Sequence, residues 1–357
     1  MQEILHLSSR HCISAASLST WREGQSGIAA ELADFLAAWY SSTPTMRLHT
    51  SGSTGEPSAL EVSREAMRAS ARLSCEFFGL GATSSALLCL PLRYIAGQMM
   101  VVRALVSGLQ LHLQEPAGQL PPALPQLDFA PLVPFQAART LAQPNGRKIL
   151  SRIRTLLLGG GFVNYSLEEA LQEHPGRVFA SYGMTETLSH IALRELNGPR
   201  RSPFFTPLPG ISVSLSPEGT LCLTAPHLGI EYLCTRDVAE LQPDGRFRIL
   251  GRLDAVINSG GIKIQAEDIE RHIQAAAGVE CLALPLPHPE LGQCVALLWE
   301  GEQSQESSLL QAIRSLPRYH RPQHMQHTRL PRTASGKPAR AQALRLLNID
   351  KLLPPML

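Results

Sequence analysis

The chain has 357 residues, of which 44% are hydrophobic, so it can bury a large core and form more than one domain. A net charge of +2, with 17% charged residues, argues against a nucleic-acid-binding surface. Apolar stretches are too short to span a bilayer, and the N-terminal residues lack the apolar core of a signal peptide.

The seven cysteines include no CxxC pair, and their number is odd. We therefore expect neither a disulfide framework nor a zinc site, and the pattern favours the reducing cytoplasm. The cysteines are Cys12, Cys75, Cys89, Cys222, Cys234, Cys281 and Cys294.

Short apolar runs alternate with helical patterns along the first half of the chain. The helix predicted over 63–79 has Ser63 as a candidate N-cap and Gly79 as a stop signal. This alternation predicts an α/β fold with a largely parallel sheet. The other predicted elements are strands at 46–50, 86–91, 109–113, 154–161 and 177–183, and helices near 97–107 and 166–174.

The pattern changes further along the chain. Proline-rich residues 116–134 are interpreted as an irregular connection. From about 200 to 250, short strands and turns follow, with a hairpin predicted at Asp244–Gly245. A domain boundary is predicted at Gly251–Asp254, giving domains 1–251 and 252–357. The second has a helix at 266–278, two strand-like runs and another helix.

Hydroxyl residues and glycines are concentrated between the strand at 46–50 and the next helix. Glycines let the backbone approach an anion closely, and hydroxyl and N–H groups can point at its oxygens, so this segment is a candidate phosphate-binding loop. The alternative is a Ser/Gly-rich surface loop. The residues are Thr50, Ser51, Gly52, Ser53, Thr54 and Gly55.

A second motif, Ser181 to Thr187, follows the apolar strand at 177–183. A carboxylate at the carboxyl end of a parallel strand is well placed in a ligand crevice, where Glu186 can hold Mg²⁺. Tyr182 can stack on a base. The alternatives are a buried Tyr–Gly turn and a solvated glutamate.

Two further motifs lie towards the end of the sequence. Residues 251–264 contain the pair Gly260–Gly261, which suggests a tight turn. The alternative is a β-hairpin with a charged rim. Residues 330–337 end in Lys337 and by themselves are typical of a basic, exposed loop.

These four segments, in this order, resemble the acyl-adenylate-forming superfamily. The resemblance implies a large N-terminal α/β domain with a parallel-type sheet, shortened relative to the superfamily, and a small, mobile C-terminal α+β domain. It also implies ATP, Mg²⁺ and CoA, with a carboxylic acid activated as its adenylate and then converted to a thioester. Neither nucleic acid nor a membrane span is expected, and a homo-oligomer is left open.

The resemblance also implies roles for individual residues. The loop from Thr50 to Gly55 is expected to hold the β- and γ-phosphates. The nucleotide and the acyl pocket are expected to be flanked by Gly159, Gly160, Gly161, Tyr182 and Gly183. Thr185 is expected at the α-phosphate and Glu186 at Mg²⁺, and both are counted with the catalytic residues. Asp237 and Arg252 are expected at the ribose, and Asp254 at the hinge. Lys337 is expected to be the catalytic lysine of the adenylation step.

Residues 90–98 and 182–190 have a finer similarity, to the branch of this superfamily that joins an aromatic dicarboxylic acid to CoA in menaquinone synthesis. Arg103 is then expected to clamp the aromatic carboxylate, because an unpaired cation in an apolar run is costly. The alternative is an arginine that snorkels to the surface. Tyr94 and His190 are expected to line the same pocket.

Three departures from the superfamily pattern concern Ser58, where lysine is frequent, Arg236, where glycine is usual, and Tyr94, where histidine is common in the branch. They keep two other functions open. One is a ligase for a different aryl or acyl acid, or an adenylation enzyme that loads a carrier protein. The other is a nucleotide-binding protein without catalytic activity.

Overall fold

The computed structural model describes residues 3–8, 11–49, 59–260, 262–332 and 338–347. The chain divides into two compact units, with residues 1–163, 170–213 and 223–233 in the first and 164–169, 214–222 and 234–357 in the second. Within the described ranges, no helix is long and apolar enough to cross a membrane.

The first unit contains a nine-stranded sheet with the order β11-β10-β9-β8-β7-β5-β6-β1-β2. Its six central strands, from β9 to β1, are parallel, and the strands at both edges pair antiparallel. The strands of this part of the chain are β1 (Leu5–Leu7), β2 (Cys12–Ile13), β3 (Thr45–His49), β4 (Ala59–Ser63), β5 (Ser85–Leu88), β6 (Gln110–Leu113), β7 (Leu127–Leu132), β8 (Ile153–Leu158), β9 (Arg177–Gly183), β10 (His190–Glu195) and β11 (Thr206–Pro207).

The α/β fold that the alternating pattern predicts is confirmed. Its helices are α1 (Leu18–Arg22), α2 (Gly27–Trp39), α3 (Arg64–Phe78), α4 (Ile95–Ser107), α5 (Pro134–Leu141), α6 (Gly146–Leu150) and α7 (Tyr165–Ala170). Helix α7 ends four residues before the predicted 174. Helix α4 is buried along most of its length, consistent with its nearly uniform apolar sequence.

The ends of α3 match the signals in the sequence. The Ser63 side chain accepts hydrogen bonds from the backbone N–H groups of Glu65 and Ala66, at 3.1 and 3.4 Å. Gly79 ends the helix with a φ of 66°, which glycine adopts without the steric cost of a Cβ. The prediction of a helix from Ser63 to Gly79 is therefore confirmed together with its mechanism.

The prediction of an irregular connection over 116–134 is wrong in part. Residues Leu127–Leu132 form β7, a central strand that pairs with β5 on one side and β8 on the other. Pro131 lies inside this strand, opposite Leu157. Four consecutive residues from Phe129 to Leu132 are buried, so the gain from burial on both faces outweighs the hydrogen bond that proline cannot donate.

Residues 212–252 form a four-stranded sheet in the order β12-β13-β14-β15. The hairpin predicted at Asp244–Gly245 is confirmed, because it joins two antiparallel strands and Gly245 has a φ of 84°. The strands are β12 (Ser212–Leu215), β13 (Thr220–Ala225), β14 (Ile230–Leu241) and β15 (Phe247–Arg252).

From Val256 onwards, the described chain forms a further sheet with helices packed against it. The predicted helix at 266–278 is confirmed as α8 (Ala266–Ala277), which ends at Gly278. The sheet has the order β17-β16-β19-β18, with β20 parallel to β19. The other elements are β16 (Val256–Ser259), β17 (Ile262–Gln265), β18 (Glu280–His288), β19 (Gly292–Glu300), α9 (Glu306–Ser315), β20 (His324–His327) and α10 (Arg340–Leu346).

The structure contains a disulfide, although the sequence predicts no disulfide framework. Cys222 of β13 and Cys234 of β14 are joined by a disulfide, with their Cα atoms 4.0 Å apart. The spacing of 12 residues carries no motif, and the proximity arises only because the two strands are neighbours in the sheet. The argument for a reducing compartment loses this support, and the cellular location stays a prediction.

The disulfide leads to a prediction about thiol content. Titration of the unfolded, unreduced protein should give five thiols, from Cys12, Cys75, Cys89, Cys281 and Cys294, and seven after reduction. Reduction should also lower the free energy of unfolding by about 2–3 kcal/mol, because it releases a short closed loop in the unfolded chain. The control is the Cys12→Ser variant, which removes an exposed free thiol and keeps both cysteines of the disulfide. Seven thiols before reduction would contradict the assignment.

Candidate functional site

Two predicted site segments follow neighbouring parallel strands. Gly159–Gly161 follow β8, and Tyr182–Glu186 lie at the end of β9 and just beyond it, so both reach the same edge of the sheet. A Cβ at Gly159 would lie 2.5 Å from the Ser181 Oγ, which donates a hydrogen bond to the Leu158 carbonyl at 3.1 Å. Glycine at 159 therefore allows β9 to approach this loop closely.

The segment after β9 is a tight, hydrogen-bonded turn. Thr185–Thr187 form one turn of 3₁₀ helix, and the buried Thr187 Oγ1 accepts from the Met184 N–H at 2.9 Å and donates to the Ser189 carbonyl at 2.8 Å. Leu188 follows with a φ of 65°, a conformation that is strained for leucine. The exposed Glu186 and the half-buried Thr185 are thus presented from a rigid turn.

Gly183 begins this turn, and its lack of a side chain is required there. A Cβ at this position would lie 2.2 Å from the Ser189 carbonyl oxygen and 2.6 Å from the His190 Cα, both backbone atoms. Gly183→Ala is therefore expected to lower the free energy of unfolding by about 1–3 kcal/mol, as overpacking does, and this can be measured by denaturant unfolding.

Gly81→Ala is the matched control, because a Cβ at Gly81 would have no other atom within 4 Å. This control is expected to change the free energy of unfolding by less than about 1 kcal/mol. Equal effects of the two substitutions would contradict the close approach at Gly183.

Arg103 is the most unusual charged residue of the first unit. It lies on α4 with 2% of its surface exposed, which rules out the snorkelling alternative. Its Nε donates to the Ser74 Oγ at 2.8 Å and its Nη2 to the Ser189 Oγ at 2.5 Å. No carboxylate in the described part of the chain pairs with it. Both partners are neutral hydroxyls, so the positive charge is held but not neutralised.

Burial lowers the pKa of Arg103 to about 10, which still leaves the guanidinium charged at neutral pH. An isolated buried charge is expensive by several kcal/mol, so an anion that enters this place gains a strong, weakly screened attraction. The buried, uncompensated charge makes Arg103 a candidate residue for binding an anionic group.

His190 lies beside this arginine at the start of β10. Its Nδ1 is 3.3 Å from the Ser189 Oγ, and its ring packs edge-on against Phe78. Burial, and then the Arg103 charge, hold the pKa of His190 well below its usual range, so the ring is neutral at pH 7. Its Nε2 is buried and has no hydrogen-bond partner among the described residues. Arg103 and His190 thus both contact the Ser189 Oγ, and their shared place in a substrate pocket stays a prediction.

Tyr94 is separated from Arg103 along α4, and its predicted place in the same pocket stays a prediction. It is the residue before α4, and its ring lies under the Arg93 guanidinium at 5.0 Å. Nine residues of helix correspond to about 13 Å, so Tyr94 lies well away from Arg103 along α4. Among the described residues, the Tyr94 and Arg103 side chains make no direct contact.

Sequence reasoning missed the two serines that hold Arg103. Ser74 lies on the buried face of α3, where its neighbours are Met67, Ala71, Cys75 and Phe78. A small hydroxyl at a position of apolar helical spacing is the signal that could have identified it, because a buried hydroxyl requires a hydrogen-bond partner. Ser189 lies in the segment of finer similarity, 182–190, but carried no predicted role.

Within the second unit, Asp237 and Arg252 form a pair. They are directly opposite each other on β14 and β15, and the Arg252 Nη1 lies 3.2 Å from the Asp237 Oδ1. The Asp237 backbone N–H donates to the Thr235 Oγ1 at 3.1 Å. The structure therefore brings together the two residues expected at the ribose. Asp254 lies in a single 3₁₀ turn, Leu253–Ala255, between β15 and β16.

Some predicted residues lie outside the described ranges. These are the loop Thr50, Ser51, Gly52, Ser53, Thr54 and Gly55, as well as Ser58, Gly261 and Lys337. The two strands that flank the loop, β3 and β4, pair antiparallel from Thr45 opposite Ser63 to His49 opposite Ala59.

A parallel sheet with a glycine turn and a carboxylate turn after adjacent strands is an arrangement at which α/β proteins commonly bind nucleotides. Residues 11–227 match the model of the family described as AMP-binding enzyme. The chain belongs to this family.

Two named enzymes are similar to most of this chain. The 2-succinylbenzoate–CoA ligase of Salmonella typhimurium is 29% identical over 310 residues, 81% of this chain and 66% of that protein. The Escherichia coli enzyme of the same name is 31% identical over 274 residues, 72% of this chain and 58% of that protein. The chain thus spans less than two thirds of the length of these relatives.

Among solved structures, an acyl-CoA synthetase (AMP-forming)/AMP-acid ligase II-like protein from Dyadobacter fermentans is similar at a TM-score of 0.62 and 32% identity. The match covers 92% of this chain and 97% of that one. Both comparisons agree with the superfamily resemblance of the sequence.

Proposed function

We propose that this protein is a 2-succinylbenzoate–CoA ligase, which joins the acid to CoA through an acyl-adenylate formed from ATP. The observation that carries the proposal is Arg103, a buried guanidinium held by two hydroxyls and paired with no carboxylate in the described ranges. A substrate with a second carboxylate supplies the missing negative charge. The relatives named above support the same substrate.

The acid would be oriented by its two ends. Arg103 would hold the aromatic carboxylate, with its remaining N–H groups available because only Nε and Nη2 are used by the serines. The neutral His190 next to it adds no competing charge, and its unpartnered Nε2 offers one polar contact. The aliphatic carboxylate would then be free to attack the α-phosphorus of ATP.

Several of the predicted residues would hold the nucleotide. The turn with Thr185 would contact the α-phosphate, and the Asp237 carboxylate would accept hydrogen bonds from the ribose hydroxyls. Mg²⁺ typically uses one or two carboxylates and completes its ligands with phosphate oxygens and water, so the single exposed Glu186 on its rigid turn fits this ion. When bound, Mg²⁺ would neutralise phosphate charge. Lys337 would neutralise the charge that develops on the α-phosphoryl oxygens. Asp254 would be the hinge of a C-terminal lid from residue 252 onwards.

Pyrophosphate exchange tests this proposal. Purified protein with ATP, Mg²⁺, 2-succinylbenzoate and labelled pyrophosphate should produce labelled ATP, and addition of CoA should produce the thioester. Exchange with benzoates or fatty acids but not with 2-succinylbenzoate would point to another acid. If none of these acids supports exchange, the protein binds nucleotide without catalysis. The departures from the superfamily pattern at Ser58 and Arg236 allow that outcome.

A further inference from the structure

Ser189 lies between the buried guanidinium of Arg103 and the turn that follows β9. The Arg103 Nη2 donates a hydrogen bond to the Ser189 Oγ at 2.5 Å. Because an arginine side chain has only donors, the serine hydroxyl accepts in this contact, and its own proton can be donated to the neutral His190 Nδ1, 3.3 Å away. The Ser189 hydroxyl is therefore used both as an acceptor and as a donor, and its place is set by Arg103.

The backbone of the same serine closes the turn. The Ser189 carbonyl accepts a hydrogen bond from the Thr187 Oγ1 at 2.8 Å, and the Ser189 N–H donates to the Thr187 carbonyl at 2.7 Å. The Thr187 Oγ1 also accepts from the Met184 N–H at 2.9 Å. Thr185 and Glu186 lie inside this ring of contacts, so their position depends on where Ser189 is held.

The turn contains a strained residue next to Ser189. Leu188 has a φ of 65° and is 2% exposed, and its N–H donates to the Thr185 carbonyl at 3.0 Å. A buried leucine keeps such a conformation only where the surrounding contacts enforce it. The bond from Arg103 to Ser189 is one of these contacts, so its loss removes a restraint from a strained turn.

A second serine holds the same guanidinium without this connection. The Ser74 Oγ on α3 accepts from the Arg103 Nε at 2.8 Å, and Ser74 is 1% exposed. No hydrogen bond in the described part of the chain joins Ser74 to residues 184–189. The two serines thus make similar contacts with one side chain, but only Ser189 also belongs to the turn.

An anion on Arg103 would restrict the turn through this contact. The guanidinium is planar and its N–H groups have a fixed geometry, so a carboxylate on its other N–H groups also fixes the Nη2 that holds Ser189. Order that the first ligand imposes is order that the second ligand no longer has to create, and binding becomes cooperative. Thermodynamic linkage makes the effect equal in both directions.

We propose that Ser189 is a positioning residue that couples the acid site at Arg103 to the nucleotide site at Thr185 and Glu186, so that each substrate tightens the binding of the other. This inference rests on the proposed function, which places the acid carboxylate on Arg103 and the phosphates and Mg²⁺ at the turn. Ser189 acts through Arg103 and the turn and touches neither substrate. The acid is then held most firmly when the nucleotide that it must attack is already in place.

Calorimetric titration measures the coupling directly. The acid, 2-succinylbenzoate, is titrated with and without saturating Mg²⁺ and α,β-methylene-ATP, in which the bond to the leaving pyrophosphate cannot break. In the wild-type protein the analogue should lower the Kd of the acid by about fivefold, and the acid should lower the Kd of the analogue by the same factor. In Ser189→Ala this factor should fall below about twofold.

Ser74→Ala is the matched control, because it also removes one hydroxyl from Arg103. It should weaken binding of the acid and keep a coupling of about fivefold. Thr187→Val removes the hydroxyl at the other end of the connection, so it should abolish the coupling while the Kd for the acid alone stays within about twofold. This variant also decides the question if Ser189→Ala does not fold.

Three results would overturn the proposal. They are an absence of coupling in the wild-type protein, a full coupling in Ser189→Ala or Thr187→Val, and an equal loss of coupling in Ser74→Ala.

Hydrogen exchange tests the same connection without any substrate. In Arg103→Ala, the amides of residues 184–190 should exchange about 10-fold faster or more relative to those of α8, and in Ser74→Ala less than about threefold faster. Unchanged exchange in Arg103→Ala would also overturn the proposal. Failure of the proposed function is distinct, because the wild-type protein would then bind no 2-succinylbenzoate, while the exchange rates still show whether Arg103 holds the turn through Ser189.

Discussion

Lys337→Ala is expected to slow adenylate formation by about 10²–10³-fold, the usual cost of removing a group that stabilises charge in the transition state. In the proposed reaction, pyrophosphate leaves while negative charge spreads over the α-phosphoryl oxygens, and a lysine ammonium is a compact charge that can match it. Thioester formation from a supplied adenylate involves no such phosphorus centre, so this step should stay within about twofold. Both rates can be measured separately by pyrophosphate exchange and by thioester release.

The control for this experiment is Lys148→Ala, which removes an exposed lysine on α6 and should leave both steps unchanged. An equal loss of the two half-reactions in Lys337→Ala would refute the assignment. Such a result would indicate that Lys337 contributes to the fold or to a step that both reactions share.

Arg103→Ala is expected to raise the KM for 2-succinylbenzoate by about 10–100-fold, because hydrogen bonds to a charged group are each worth about 1.5–3 kcal/mol. The KM for ATP should change much less, since the residue is proposed to touch only the acid. Steady-state measurement with each substrate varied in turn distinguishes the two effects. A parallel rise in both KM values would indicate a structural role instead.

A substrate analogue sharpens this test without any further change to the protein. The 2-succinylbenzoate analogue that lacks the ring carboxylate should bind the wild-type protein weakly and should be affected little by Arg103→Ala. If Arg103→Ala impairs the analogue as strongly as the dicarboxylate, the guanidinium does not recognise the ring carboxylate. The comparison is a double-mutant cycle between side chain and ligand, which isolates their interaction.

Local signals made much of the fold predictable. Ser63 and Gly79 mark the ends of α3 because a cap and a left-handed residue act within a few positions of themselves. Strand β9 was predicted over 177–183 because its residues form an apolar run after a turn, and the hairpin at Asp244–Gly245 follows from its turn residues. Arg103 was identifiable because a charge in an apolar helix is rare.

The parts that were missed depend on distant contacts. Strand β7 contains Pro131, and only its burial between two other strands makes it a strand. The Cys222–Cys234 disulfide depends on which strands become neighbours, which no spacing of two cysteines reveals. Ser74 is recognisable as a partner of Arg103 only once α3 and α4 are packed together.

The unneutralised charge of Arg103 also has a consequence for how the protein keeps its shape when no substrate is present. Without substrate, burial of the Arg103 charge costs solvation free energy. Three distant parts of the chain meet around this cation, and they carry Ser74, Arg103 and Ser189. The proposed dicarboxylate substrate would offset that cost, so it would stabilise the protein as well as react. The midpoint temperature of thermal unfolding should accordingly rise when the dicarboxylate is added alone.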